Sequence, residues 1–301
     1  MRQGKWIWAM LLALLCVVSA GCSPNSQGQP GGGDRDGTQV ETIGSLGPAN
    51  TEILVGLGLG DQIIIADTYS SDVEGLNPQV LYTDMMMPDV EQIVQAAPDV
   101  LFVTGMTLTG GDDPYKPVLD AGIWVVYMPS TGSVAGILED IRTLAQITGT
   151  EVQGEEMVAQ MEGELARIQA IADTIPDEAR RTVYFEVTPA PHIISFGSDV
   201  FLDELIQMVG ASNVLAEHSG YISINDEAVL AANPDVILTS VDYIGDPVGD
   251  VLNRAGWDVM SAVQNGAVYR VDTNSTNRAS QNIVRALDQM ARLVYPEYYE
   301  N

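Results

Sequence analysis

Residues 90–104 read VEQIVQAAPDVLFVT, and residues 226–240 read DEAVLAANPDVILTS. The two stretches align without a gap, so Glu91 matches Glu227, and both contain a Pro-Asp-Val step between a helical pattern and an apolar run. A looser match pairs GPANTEILVGLG, which ends at Gly58, with GSDVFLDELIQMVG, which ends at Gly210. An internal repeat of this kind predicts two lobes with the same order of strands and helices.

Short apolar runs suited to buried strands alternate with helical patterns in both halves of the chain. The runs are Val40–Leu46, Ile63–Ala66, Val100–Val103, Ile123–Tyr127, Thr182–Val187, Val236–Thr239 and Ala267–Val271, with helical patterns over Phe201–Val209 and Arg278–Val294 in the second half. This alternation is typical of α/β proteins with parallel sheets. We therefore predict two Rossmann-like lobes with parallel-rich sheets.

The middle of the chain carries helical periodicity only. Met157, Met161, Leu165 and Ile168 recur three or four residues apart along one stripe. A helix over residues 152–174 would be about 35 Å long, which is enough to bridge two lobes. We expect a first lobe over residues 39–132, a helical connector over residues 133–180 and a second lobe over residues 181–301.

The first residues resemble a bacterial lipoprotein signal. Basic Arg2 and Lys5 precede an apolar run that ends at Val18, and small residues lead directly into Cys22. The run is too short to span a bilayer. The resemblance implies cleavage after residue 21 and acylation of Cys22. The acyl chains would hold the protein on the membrane, at the outer face of the cell or in the periplasm. Residues 22–38, rich in Gly, Pro, Ser and Gln, are predicted to be a flexible tether.

Charge and motif content exclude several classes of function. A formal net charge of −28 argues against nucleic acid as a partner. A metal ion bound by several imidazoles is disfavoured because His192 and His218 are the only histidines. The sequence contains neither a P-loop nor the G-x-S-x-G or H-E-x-x-H motifs, so we do not expect an enzyme.

The chain resembles the family of binding proteins that carry ferric siderophores, haem and cobalamin to ABC importers. The resemblance covers roughly residues 40–298 and is most specific in SLGPANTEILVGLGLGDQIIIADTYS (45–70), in the segments around Glu91 and Glu227, and in GWDVMSAVQNGAVYRVD (256–272). It implies solute capture between two lobes joined by a long helix, without a resident cofactor. The implied partner is a permease dimer with its ATPase, and we expect the binding protein to be a monomer.

Two acidic residues are candidates for docking to the permease. In the resembled family one acidic residue on each lobe contacts basic residues of the permease, and the matching positions here are Glu91 and Glu227. A local role is the alternative, because an acid in the first turn of a helix is favoured by the helix macrodipole.

Candidate ligand contacts lie in loops beyond the carboxyl ends of the predicted strands, where open α/β sheets bind their ligands. Aromatic and thioether side chains there suit a large, flat or greasy ligand. The candidates are Tyr69, Tyr82, Met86, Tyr221, Tyr243 and Trp257. The resemblance adds Arg278, although the proline that often follows this arginine in the family is Ala279 here.

The identity of the ligand is open between several metal chelates. Since cations are sparse, a near-neutral corrinoid such as cobalamin or a ferric hydroxamate siderophore fits better than a highly anionic chelate. Haem is an alternative, with Met86 and His218 as axial ligands of the iron. A further alternative is an extracellular sensor that reports its ligand to another receptor.

Overall fold

Five strands of the first lobe form one parallel sheet in the order β3-β2-β1-β4-β5. The computed structural model describes residues 39–111 and 113–299, so the predicted signal, Cys22 and the tether lie outside the described residues. The strands are β1 (Ile43–Leu46), β2 (Ile63–Asp67), β3 (Leu81–Thr83), β4 (Val100–Thr104) and β5 (Trp124–Met128). Every residue of the central strand β1 is buried, as expected for a parallel sheet covered on both faces.

Two of the five α-helices in the first half of the described chain begin at a side-chain cap. The five helices are α1 (Pro48–Gly56), α2 (Val90–Ala96), α3 (Lys116–Asp120), α4 (Val134–Thr148) and α5 (Glu151–Ala172). Asp89 and Ser133 accept hydrogen bonds at the starts of α2 and α4, the usual role of such residues at helix N-termini. Gly149, in the left-handed region with φ 70°, ends α4. The predicted helical connector therefore contains two helices, of which α5 is the long one.

The second lobe repeats the parallel sheet with four strands in the order β11-β10-β6-β8 and adds a two-stranded antiparallel ribbon, β7-β9. Its strands are β6 (Thr182–Glu186), β7 (Ile194–Phe196), β8 (Ser212–Asn213), β9 (Tyr221–Ser223), β10 (Val236–Thr239) and β11 (Val268–Arg270). Its helices are α6 (Phe201–Met208), α7 (Asp226–Ala232), α8 (Pro247–Leu252), α9 (Ser261–Gln264), α10 (Thr273–Asn277), α11 (Ile283–Val294) and α12 (Pro296–Tyr299). The two-lobe α/β prediction is confirmed.

Equivalent side chains make equivalent contacts in the two lobes. The Asp99 carboxylate, just before β4, accepts hydrogen bonds from the backbone amide and hydroxyl of Thr42. The Asp235 carboxylate, just before β10, accepts the same pair of bonds from Thr182. The sequence repeat therefore extends to individual hydrogen bonds.

The two repeated helices also start and end alike. Asp89 and Asn225 cap the N-termini of α2 and α7 with their side chains. Ala97 and Asn233 end these helices in the left-handed region, with φ of 49° and 43°. Asn adopts this conformation more easily than Ala, so Ala97 carries local backbone strain.

The long helix α5 spans about 33 Å and packs against α4 on the side of the first lobe and against α6 and α11 on the side of the second. Its buried stripe includes Met157, Met161, Leu165 and Ile168, as the periodicity predicted. One apolar core cluster runs from Ile53 of the first lobe along this stripe to Leu287 of the second. No helix among residues 39–111 and 113–299 is long and apolar enough to cross a membrane.

The segment before the last long helix differs from the sequence-based expectation. The predicted helix from Arg278 begins at Ile283, because α10 ends at Asn277 and residues 278–282 leave the helical conformation. Arg278 and Ser280 are therefore on a non-helical linker between two helices.

Candidate functional site

Segments that follow β2 and β5, at the carboxyl edge of the first sheet, contact the second lobe at two places, and we call the space between these contacts the cleft. On one side of it, the loop after β2 contacts the segment after β11. Arg278 Nη2 lies 3.0 Å from the Tyr69 carbonyl oxygen and 2.8 Å from the Asp72 carboxylate. Asn274 Nδ2 donates a 2.6 Å hydrogen bond to the same carboxylate.

The opposite side of the cleft is closed by the loop after β5. The backbone amide of Val134 donates a 2.9 Å hydrogen bond to Glu204 of α6. Two residues earlier, a Cβ at Gly132 would lie only 3.0 Å from the Asp199 carbonyl oxygen. The lobes therefore touch on two sides, and the strand-end loops between the contacts form the walls.

Large exposed apolar side chains lie on these loops and, in the case of Tyr82 and Tyr221, on the short strands β3 and β9. Tyr69, beside the first contact, is 60% exposed, and Met87 after β3 is 80% exposed. The other members on the first lobe are Tyr82, Met86, Met106 and Leu108, and those on the second lobe are Tyr221 and Tyr243. Exposed apolar groups in such numbers mark a binding surface more often than ordinary monomer surface. Five of the predicted ligand contacts are accessible in the structure: Tyr69, Tyr82, Met86, Tyr221 and Tyr243. Met87 and Met106 are further exposed side chains that were not predicted.

The backbone of the methionine loop is fixed although its side chains are exposed. Asp84 accepts hydrogen bonds from the amides of Met86 and Met87 at 2.7 and 3.0 Å. The hydroxyl of the buried Tyr115 donates to the Met85 carbonyl oxygen. The backbone of this loop therefore loses little entropy when a ligand binds, although the flexible methionine side chains still lose rotamer freedom.

Trp257 is not part of the cleft surface, and its prediction as a ligand contact is wrong. The ring is 0% exposed and lies in the core of the second lobe, where it meets Tyr184 edge to face at 6.1 Å. The guanidinium of Arg254 covers the ring at 4.2 Å and binds the buried Glu186 carboxylate at 2.6 Å. A large apolar ring gains more from this enclosure than from a solvent-facing position.

Arg278 is committed to the contact between the lobes. Its side chain is 12% exposed and bonds Glu52 at 2.8 Å in addition to Asp72. Burial disfavours the charged guanidinium, but hydrogen bonds to Glu52 and Asp72 outweigh burial and raise the pKa of Arg278. The carboxylates neutralise the cation, so the expected ligand contact of Arg278 gains no support from its position.

Glu91 and Glu227 occupy equivalent positions in the first turns of α2 and α7, one on each lobe. Both side chains are exposed, and neither forms an ion pair within the described part of the chain. The paired placement is compatible with docking, which stays a prediction.

The candidate haem ligands are also accessible. His218 lies in the loop before β9, and its ring nitrogen is 3.7 Å from the Glu217 carboxylate. Met86 lies on the other lobe, in the loop after β3. Residues 39–111 and 113–299 hold no cluster of three or more His, Cys, Asp or Glu side chains that could bind a metal ion by themselves.

Comparison with known proteins agrees with this architecture. The model of the periplasmic binding protein family matches residues 43–274. The chain belongs to this family. It is therefore an extracytoplasmic binding protein, the class that the sequence analysis preferred over enzymes.

Individual relatives of this periplasmic binding protein differ in their named ligands. The ABC transporter substrate-binding lipoprotein YvrC of Bacillus subtilis is 29% identical over 100% of both chains. The cobalamin-binding protein of Halobacterium salinarum is 24% identical over 84% of this chain and 69% of its own length. The periplasmic haem-binding protein HutB of Vibrio cholerae has the same fold, with a TM-score of 0.75 and 22% identity over 85% of this chain and 99% of its own.

Proposed function

We propose that this periplasmic binding protein is the lipid-anchored substrate-binding component of an ABC importer. The full-length similarity to a substrate-binding lipoprotein of an ABC transporter supports this assignment. Exposed Glu91 and Glu227, one on each lobe, would contact the two subunits of the permease, which works with its ATPase. Acylated Cys22 and the tether over residues 22–38 would keep the binding protein beside that permease.

The proposed cargo is a near-neutral metal chelate, with a corrinoid such as cobalamin ahead of a ferric hydroxamate siderophore. The carrying observation is a cleft rich in exposed tyrosine and methionine side chains whose neighbouring cation, Arg278, is neutralised by Glu52 and Asp72. Aromatic and thioether groups make favourable contacts with a broad, weakly charged ligand. A ligand with several anionic groups would need unpaired cations in the cleft. A cobalamin-binding relative at 24% identity points in the same direction.

Haem is the second candidate because Met86 and His218 are both accessible and lie on opposite lobes. A thioether and an imidazole are suitable axial ligands for haem iron. Arg278, however, is already paired with Glu52 and Asp72, so it is not available to the propionates of haem. An extracellular sensor would use the same ligand site with a different protein partner.

A titration with four chelates tests the proposed cargo. The protein is titrated in a calorimeter with cyanocobalamin, haemin, ferrioxamine and ferric enterobactin. Saturable binding of cyanocobalamin at micromolar or lower concentration, with weaker or no binding of ferric enterobactin, is expected. Preferential binding of haemin with a six-coordinate absorbance spectrum would establish the second candidate, and preference for ferric enterobactin would contradict the charge argument.

A further inference from the structure

Two glutamates, each six residues before the glycine that ends its repeat stretch (Gly58 or Gly210), form hydrogen bonds with the other lobe. Glu52 lies on α1, the first helix of the first lobe, and Glu204 lies on α6, the first complete helix of the second lobe. Glu52 contacts the residues immediately before α11, and Glu204 contacts the first residue of α4. In the sequence, α11 and α4 each follow the last strand of their lobe, β11 and β5 respectively. The pair of contacts therefore has the approximate twofold symmetry of the repeat.

The contact around Glu52 is dense and buried, and we name it the pivot (Glu52, Arg278, Ser280 and Asn282). The Glu52 carboxylate accepts hydrogen bonds from Arg278 at 2.8 Å, from Asn282 at 2.7 Å and from the Ser280 hydroxyl. Its side chain is 7% exposed. Separating the pivot would break an ion pair and two further hydrogen bonds to the Glu52 carboxylate together. That costs more free energy than the loss of one hydrogen bond.

The polar contact at Glu204 has fewer hydrogen bonds than the pivot, and we name it the latch (Glu204 and Val134). It consists of one 2.9 Å hydrogen bond from the Val134 amide to a half-buried carboxylate. Water can replace this single bond when the lobes separate, so its loss costs less free energy than the loss of the several bonds of the pivot. Gly132 lies beside the latch, where the backbone of Asp199 approaches it closely.

The pivot and the latch lie on opposite sides of the cleft. The pivot joins the β1 and β2 region of the first sheet to the segment after β11, the edge strand of the second sheet. The latch follows β5, at the other edge of the first sheet. Between them, α5 packs on both lobes and allows a small rotation more easily than a wide separation.

From these unequal contacts we infer that the cleft opens asymmetrically. The lobes rotate about the pivot, which stays closed, while the latch parts and admits or releases the ligand at the Glu204 side. A side chain at position 132 would press on the Asp199 carbonyl oxygen and so disfavour closure.

Distances between spin labels test this inference without any ligand. In the full-length chain with Cys16 and Cys22 replaced by serine, one label pair spans the latch (Ala135→Cys with Glu217→Cys). A second pair spans the pivot (Glu74→Cys with Asn277→Cys), and all four positions are exposed. We expect a broader distance distribution, with a longer second population, for the latch pair than for the pivot pair.

Two substitutions sharpen the comparison. Glu204→Ala removes the acceptor and should raise the open population of the latch pair roughly ten-fold, the effect of one hydrogen bond to a charged acceptor. Gly132→Ala should shift the latch pair to longer distances by a steric route, so the test does not depend on one variant folding. Glu178→Ala, an exposed glutamate away from both contacts, should change neither pair. Equal broadening of both pairs, or a latch pair that neither substitution moves, would overturn the inference.

Discussion

The hydroxyl of Thr131 donates a 2.6 Å hydrogen bond to the carboxylate of Asp140, which is 7% exposed within α4. Burial raises the pKa of Asp140 to about 6, although the bond from Thr131 opposes that rise. The folded protein therefore binds a proton at this site between about pH 4 and pH 6, where an unfolded aspartate is already ionised. This contribution to the free energy of unfolding is lost as the pH rises through about 6.

Asp140→Asn should stabilise the protein at pH 7.5, by at most about 3 kcal/mol, and leave it nearly unchanged at pH 4. The reason is that the amide keeps an acceptor for Thr131 without a buried charge. Urea unfolding at both pH values measures the difference. Thr131→Val is the control and should destabilise most at pH 7.5, where the carboxylate needs its donor. Equal effects of Asp140→Asn at both pH values would contradict the assignment.

Replacing Ala97 tests the strain at the end of α2. Ala97→Gly and Ala97→Asn should each raise the free energy of unfolding, by about 0.5–1 kcal/mol, because the left-handed conformation suits both residues better. Ala96→Gly, one residue earlier and inside the helix, should lower it by about the same amount. Thermal and urea unfolding measure the free energy of unfolding of the three variants. A lower value for Ala97→Gly would show that Ala97 carries little strain at its φ of 49°.

The buried ion pair of the second lobe should tolerate joint replacement better than single replacement. Glu186→Leu alone would leave Arg254 buried with only Asp250 and should destabilise by about 3 kcal/mol or more. Glu186→Leu with Arg254→Met removes both charges and should recover much of that loss. A double-mutant cycle from urea unfolding measures the coupling, and strictly additive losses would contradict the pairing.

Removing cleft tyrosines should weaken ligand binding without lowering stability. Tyr69→Ala and Tyr243→Ala, one on each lobe, should each reduce the affinity for the bound chelate roughly ten-fold, as expected for central aromatic contacts. Val152→Ala is the matched control, since Val152 is 70% exposed on α5. Calorimetric titration with the chelate identified above gives the affinities. If both tyrosine variants bound the chelate as tightly as the Val152→Ala control, the ligand would not contact these tyrosines.

Reversing the paired glutamates should separate transport from binding. Glu91→Lys and Glu227→Lys should each lower the rate of uptake in cells and leave the ligand affinity of the purified protein unchanged, because the charges act on association with the permease. Glu178→Lys controls for the change in net charge. Uptake is followed with a radiolabelled chelate. Undiminished uptake by the double variant would show that both glutamates only stabilise the first turns of their helices.

The two sheets could be predicted from the sequence because their central strands are buried on both faces and read as continuous apolar runs. The predicted strand boundaries differ from those observed by up to three residues. Strands β3, β7, β8 and β9 went unpredicted, since each has two or three residues and most have exposed positions. Short, partly exposed strands carry almost no periodic signal.

The site was only partly predictable. Loop position was enough to nominate Tyr69, Met86 and Tyr243, because the carboxyl ends of parallel strands share one edge. Nothing local distinguishes Trp257, whose burial depends on the packing of Arg254 above it. The partner of Arg278 is 226 residues away in the sequence, and no spacing rule reaches that far.

The apolar cluster that runs along α5 has a consequence for how the chain folds. Met161 and Ile168 of α5 belong to one buried apolar cluster that also contains Ile43 of the first sheet and Val183 of the second. Each half of the repeat therefore depends on the same shared element for its stability. We therefore expect the two halves to unfold in one cooperative transition, and an isolated half to be less stable than the whole chain.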